Sequence, residues 1–369
     1  MCFLILVLDL VRAEWFSTKG NKIINETGGA VRLTGINWFG FETTEEVFHG
    51  LAANSLQNLI KMVADHKFNC WRCPVSASVI HDWMIGNPRK DLKVNYTYNP
   101  SLRGLSNFDI FKIFIKEVKK YGHRVFIDIH SIVDNSYRDN LWWNAEHPPE
   151  YILSALEWIA DYFKDEPAFI GIDVKNEPHG TCDDPTAAHW DGTKNDNNWK
   201  YFVETAAARI HAKNPKLLIF VEGIECYKGV EGWWGGQLAA VKDYPIKLGT
   251  YQNKLVYSPH DYGPSVNPKQ TWLRDNMTYD SLMAEVWEPQ WLFIHENSIA
   301  PIFIGEWGGH LEKRNNLWMG PFVQLIAKYK LSFTHWCLNP DSGDTGGLLL
   351  PDWQTWNEEK YNFIKPVFD

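Results

Sequence analysis

A chain of 369 residues with a 45% hydrophobic composition is long enough for two ordinary domains or for one α/β barrel with loop insertions, and it can bury a large core without disulfides. A formal net charge of -9 with no basic block excludes a polyanionic partner, so no nucleic acid is expected and a neutral or cationic ligand is. The aromatic content, 15% with 19 Trp, exceeds the needs of core packing and points to rings that form a stacking surface, suited to the flat C–H faces of sugars.

The chain opens on "MCFLILVLDLVRA", an apolar run too short for a membrane span and lacking the basic start of a complete signal peptide. Residues 1–13 read as a leader or truncated signal remnant, and 14–369 as one domain, because no linker, low-complexity tract or short repeat divides them. Sequons at Asn25, Asn95 and Asn276 decide nothing in an Asn-rich chain. "GNKIINETGGAVRL" (20–33) predicts a short β-hairpin around a Gly-Gly turn, placed to plug the bottom of a barrel.

Eight strand-like apolar runs follow in order: 31–38, 68–75, 123–130, 169–176, 217–223, 254–260, 301–307 and 331–338. Amphipathic stretches such as 56–66, 108–122 and 151–165 alternate with them, the last just after a Pro-Pro start signal. Alternation of this kind predicts βαβ units with right-handed crossovers, and eight of them close an α/β (β/α)8 TIM barrel. Cys70 and Cys73 form a C-x-x-C within the second run, but an odd spacing on a strand points them to opposite faces, so buried free thiols are expected rather than redox or metal chemistry.

Uncommon residues gather at the ends of these runs. Arg72 belongs to the second, His130 ends the third, Asn176 and Glu177 follow the fourth, and Glu222 closes the fifth. His260 ends the sixth with Tyr262 two beyond, Glu306 ends the seventh, and Trp336 lies near the end of the eighth. In a barrel all of them converge on the C-terminal mouth, where barrel enzymes keep their active sites. Glu177 read alone is a helix cap, and Glu306 read alone is a satisfied buried acid; the coincidence at successive strand ends favours catalysis. Strands four and seven stand opposite across the mouth, and two opposed carboxylates suit glycoside hydrolysis, provided their proton affinities are pushed apart. Arg72 and Tyr262 would keep Glu306 ionised, and His260 would keep Glu177 supplied with a proton. Glu222 reads as a structural or supporting acid. Asp128 and His130 form a D-x-H without the further ligands that a metal site wants, so neither metal nor cofactor is expected.

The segments "WRCPVS", "IDIHS", "VKNEPHG", "YSPHDYG", "IGEWGG" and "THWCLNPDSGDTGG" resemble the successive motifs of glycoside hydrolase family 5. "LTGINWFGFET" and "FVEGIECYKGVEGWWGGQL" resemble its bacterial-type endo-β-1,4-glucanase (cellulase) branch, and the likeness runs from about Glu14 to the end. It implies a retaining mechanism with Glu177 as acid/base and Glu306 as nucleophile, assisted by Arg72, His260 and Tyr262. It also implies that Asn176 reads the 2-hydroxyl of the cleaved sugar, that His130 and Trp336 bind the sugar, and that Trp38, Trp233 and Trp234 line the cleft further out. Trp307 and Leu338 depart from the usual pattern, the latter costing a possible ring near the cleft. The expected substrate is soluble or amorphous β-glucan polysaccharide, met outside the cell by a monomer with no membrane attachment. Mannan, xyloglucan or mixed-linkage glucan under the same mechanism, and a glucan-binding protein that has lost activity, are the alternatives.

Overall fold

The computed structural model describes residues 14 to 369, and the apolar start read as a leader lies outside them. Each of the eight apolar runs contains a strand: β1 (Thr34–Asn37), β2 (Cys70–Ser76), β3 (Arg124–Ser131), β4 (Phe169–Asp173), β5 (Leu218–Val221), β6 (Leu255–Tyr257), β7 (Phe303–Ile304) and β8 (Ser332–His335). All neighbours pair in parallel, in the order β6-β5-β4-β3-β2-β1-β8-β7. Parallel bridges from Tyr257 to Ile302 and from His260 to Glu306 join the two ends, closing the barrel.

Helices occupy the predicted intervals, and their ends show why. Ser55 caps Leu56–Ala64 by accepting from the amide of Asn58, while Ser106 and Asp109 form a reciprocal capping box on Asn107–Lys119. Pro149 opens Pro149–Tyr162 in the first turn, where a missing N–H costs nothing. That helix turns Ile152, Leu156 and Ile159 onto the sheet.

Side chains alternate across the barrel wall. Cys70, Phe126, Leu218, Phe220, Val256 and Phe303 point inward and form a small core of their own, whereas Cys73, Ile127, Ile219, Val221 and Tyr257 face the helices. Cys70 and Cys73 are accordingly buried, unbonded and on opposite faces. Phe16, Ile23 and Leu33 close the inner core from below. The predicted hairpin is present as Lys22–Ile24 against Ala30–Val31, and it gains a third strand, Ser17–Lys19, that begins before the expected start.

Continuing inward by twos toward the top, the barrel interior changes from apolar to charged: Cys70 gives way to Arg72, Phe126 to Asp128 and His130, Phe220 to Glu222, and Val256 to Ser258 and His260. The register that fills the bottom with rings thus aims the polar set at the mouth.

One covalent link was not legible. Cys182 and Cys226, 44 positions apart, form a disulfide that ties the loop after β4 to the short hairpin Cys226–Glu231 after β5. Among the described residues no helix is long and apolar enough to cross a membrane.

Candidate active site

Arg72 organises the mouth. It is fully buried on β2, and its guanidinium donates to Asp173 from Nε and Nη2 (3.3 and 3.2 Å), to Asn37 Oδ1 (3.1 Å), to Asn176 Oδ1 (3.0 Å), to Glu222 Oε1 (3.2 Å) and to Glu306 Oε1 (2.5 Å). A rigid planar fork with five donors can hold residues from several strands in one fixed array, which a lysine could not do. Tyr262 donates its hydroxyl to the second oxygen of Glu306 at 2.7 Å, so both carboxylate oxygens are held.

Glu177 is fixed differently. No helix follows it until Trp199, so it is not a helix cap. Its backbone is left-handed, with φ of 49°, a conformation that a non-glycine residue keeps only when its surroundings enforce it. The enforcing contact is its own N–H, which donates to Glu222 Oε2 at 2.7 Å. Its side chain meets His260 Nδ1 at 3.1 Å. The opposite imidazole nitrogen lies 3.2 Å from Glu222 Oε1, as an ion pair without hydrogen-bond alignment. One carboxylate oxygen of Glu177, one of Glu306 and a ring nitrogen of His260 all lie within 4.8 Å of one another.

Burial alone would raise Glu177, yet the hydrogen bond and positive charge of His260 hold it down at about 2. Burial would lower His260, but the charges of Glu222 and Glu306 drive it well above its ordinary value. The lowered Glu177 and the raised His260 together favour the proton of this pair on the imidazole. Glu306 is lifted above the usual carboxylate range by burial, opposed by His260 and Arg72. Arg72 and Tyr262, expected from the sequence to keep Glu306 ionised, both contact its carboxylate, and the burial that opposes them is what the sequence did not show.

His130 hydrogen-bonds Asp128 through Nδ1 at 2.7 Å, which directs its other nitrogen toward the mouth. Its ring runs nearly parallel to Trp336 (centroids 5.6 Å apart, planes 12° apart), and Trp336 continues to Phe39 in the same way (5.5 Å, 13°). These rings line one wall of a cavity of about 390 Å³ that also exposes Glu177, Glu306 and Tyr262. Trp233 and Trp234 line another part, Trp234 backed face to face by His179 at 3.8 Å. Asn176 is fully buried, with its Nδ2 lacking a partner, so a donor is left free beside the carboxylates.

Trp38 does not line the cavity. It is fully buried behind the barrel wall, stacked on Phe48 at 4.2 Å and near Trp71, with its indole N–H given to the carbonyl of His49. Asn37 takes the inward position at the end of β1, so Trp38 faces the helices, and Phe39 is the ring that reaches the cavity. Sequence reasoning also missed Glu42, Arg138 and Asp344 in the lining; they stand on loops, where no periodicity marks direction.

Two carboxylate and imidazole groups here have ligand-like spacing, Asp173–Glu222–His260 and Glu177–His260–Glu306. The Arg72 guanidinium already supplies positive charge to Asp173, Glu222 and Glu306, and a cation between them would sit against it.

Comparison with known proteins agrees with this geometry. The family model described as cellulase (glycosyl hydrolase family 5) matches residues 24–342. Endoglucanase G of Acetivibrio thermocellus is 39% identical across 98% of this chain and 72% of its own length. An endoglucanase of Paenibacillus polymyxa is 35% identical across 96% of this chain and 88% of its own. The solved complex of cellotetraose with a variant of an endocellulase from the archaeon Pyrococcus horikoshii superposes with a TM-score of 0.88 at 32% identity, covering 97% of this chain and 99% of that one.

Proposed function

Because the chain belongs to glycosyl hydrolase family 5, the cellulases, and is a glycoside hydrolase of endoglucanase type, we propose that it cuts internal β-1,4-glucosidic bonds of cellulose-like glucans with net retention. The single observation carrying this reading is the close approach of Glu177 and Glu306 at one aromatic-walled cavity. Inverting enzymes hold their two carboxyl groups about 6.5–9.5 Å apart to admit a water, and retaining ones about 5–5.5 Å apart.

Roles follow from what holds each carboxylate. Glu306 accepts from Arg72, which stays charged at all working pH values, and from Tyr262. It is the nucleophile, bonding to the anomeric carbon as the glycosidic bond breaks. Glu177 is paired to His260, a partner that can give up a proton. When substrate fills the mouth, the proton passes from His260 Nδ1 to Glu177 and from there to the departing sugar oxygen. Glu177 then takes a proton from the water that releases the glycosyl group from Glu306 and returns it to His260 Nδ1, which restores the resting state.

The unpartnered amide nitrogen of Asn176 supports a role in reading a hydroxyl of the cleaved sugar, and the presence of Trp336, Phe39 and Trp233 in the cavity lining supports stacking on the rings of the polymer. Residues 14–369 act as one catalytic unit and as a monomer. The Cys182–Cys226 disulfide and a polymeric substrate both favour an extracellular site of action. The alignment with a cellotetraose-bound endocellulase favours β-1,4-glucan over mannan.

Reducing-end release from carboxymethylcellulose, with viscosity followed in parallel, tests the reading for the wild type and Glu306→Gln. Rapid viscosity loss that disappears in the variant is expected. A folded wild type inactive on that polymer but active on mannan would overturn the choice of substrate.

A further inference from the structure

We infer that Glu222 is the positioning residue for the acid/base of this reaction, holding the Glu177 backbone through one carboxylate oxygen and facing the His260 imidazole with the other. The inference rests on the assignment of Glu177 as acid/base and adds a residue that touches neither substrate nor reacting atoms.

Glu222 is fully buried at the end of β5, on the inward register, and its contacts serve the catalytic pair. Oε2 accepts the Glu177 N–H at 2.7 Å, the contact that holds a left-handed backbone at a side chain that must aim at the cleavage point. Oε1 lies 3.2 Å from both His260 Nε2 and Arg72 Nη2. The Glu222 main chain is itself anchored, its carbonyl accepting from the indole of Trp199 at 2.8 Å and the next amide donating to the Gly235 carbonyl at 2.7 Å. Gly235 has φ of 70°, and a Cβ there would fall 2.2 Å from Glu222 Oε2. A bare backbone is thus needed at 235 for the carboxylate to stay where it is.

A second consequence is electrostatic. His260 Nδ1 is faced by Glu177 at 3.1 Å and Glu306 at 3.6 Å and its Nε2 by Glu222 at 3.2 Å, with Asp173 within 4.8 Å of a ring nitrogen, Asp128 further off, and Arg72 ion-paired with Asp128, Asp173, Glu222 and Glu306. Removing the charge of Glu222 removes one of the contributions that keep a proton on the His260–Glu177 pair, so the pair should lose that proton at lower pH.

The test compares kcat/KM, which reports formation of the glycosyl-enzyme, on phenyl and 2,4-dinitrophenyl β-cello-oligosaccharides. Dinitrophenolate departs without a proton, so a fault in acid catalysis shows only on the phenyl substrate. For Glu222→Gln, close in shape to the original, a fall of about 10²-fold on the phenyl substrate is expected, the low end of what general acid catalysis contributes. The dinitrophenyl substrate should change by less than about threefold, and the alkaline limb of the pH profile should move to lower pH. Gly235→Ala, which displaces the same carboxylate while leaving it chemically intact, should give the same leaving-group signature. Thermal unfolding of each variant confirms a folded protein, and Glu177→Ala serves as the reference. Equal losses on both substrates with an unmoved pH profile would overturn the inference, as would full activity in Glu222→Gln. If Glu177→Ala itself lacks leaving-group dependence, the assignment of Glu177 falls and this inference with it. Dependence in Glu177→Ala without any in Glu222→Gln removes only the role of Glu222.

Discussion

At the scale of single residues, the charge pattern around His260 fixes the shape of the pH profile. Activity needs Glu306 ionised and one proton on the Glu177–His260 pair. It should fall at low pH as Glu306, raised by burial, takes a proton, and fall at high pH as the pair loses its own. Because His260 is lifted well above 6.5 by Glu222 and Glu306, the alkaline limb of kcat/KM should lie above that value. A limb below it would show that the imidazole is neutral in the resting enzyme. A second pair of residues separates packing from binding. Trp38→Ala opens a cavity behind the wall and should cost about 3–5 kcal/mol of stability with little change in KM. Phe39→Ala removes a face beside Trp336 and should raise KM about fivefold, consistent with about 1 kcal/mol for one aromatic contact. Thermal unfolding together with Michaelis kinetics on a soluble glucan reads both, and a raised KM in Trp38→Ala with normal stability would contradict the register at the end of β1.

At the scale of elements, the loops after β4 and β5 are joined by Cys182–Cys226, and the enclosed loop sets the effect. Closing a 44-residue separation limits the unfolded chain by about 4 kcal/mol in the loop-entropy treatment. For a chain of 369 residues this corresponds to a drop in Tm of about 5 °C in Cys182→Ser/Cys226→Ser. An unchanged Tm would mean that the loops are held by their other contacts. The strands were legible as apolar runs, and the mouth because the inward face of each run turns polar at its end: Phe220 then Glu222, Val256 then His260. Trp38 and Phe39 were not separable in that way, since both are aromatic and the strand ends between them and Asn37. The disulfide left no mark, because cysteines 44 apart on two loops carry no short spacing. The proton's place was hidden for a different reason: it depends on burial, and the sequence shows partners without showing solvent exclusion.

At the scale of the whole molecule, the mouth is fastened to the outer shell through Asp261, between His260 and Tyr262. Its buried carboxyl accepts from the Trp318 indole at 3.1 Å, with the indoles of Trp287 and Trp291 also turned toward it. Burial outweighs these donors and raises it to about 8, against 3.8 for an ordinary Asp. The folded protein then keeps a proton that the unfolded chain releases, so this residue lowers stability progressively from about pH 4 to pH 8 and no further beyond. Asp261→Asn carries no such proton, and its Tm should gain on the wild type across that window and then run parallel. A difference that is constant with pH would show Asp261 ionised in the fold.

Azide rescue tests the division of labour between Glu177 and Glu306 most directly, with the anomeric configuration of the product read by NMR. In Glu306→Ala, azide should enter in place of the missing nucleophile and give an inverted α-glycosyl azide. In Glu177→Ala, it should attack the glycosyl-enzyme and give a retained β-glycosyl azide. The opposite pairing of configurations would exchange the two roles, and rescue in neither variant, with both folded, would contradict the double-displacement reading itself.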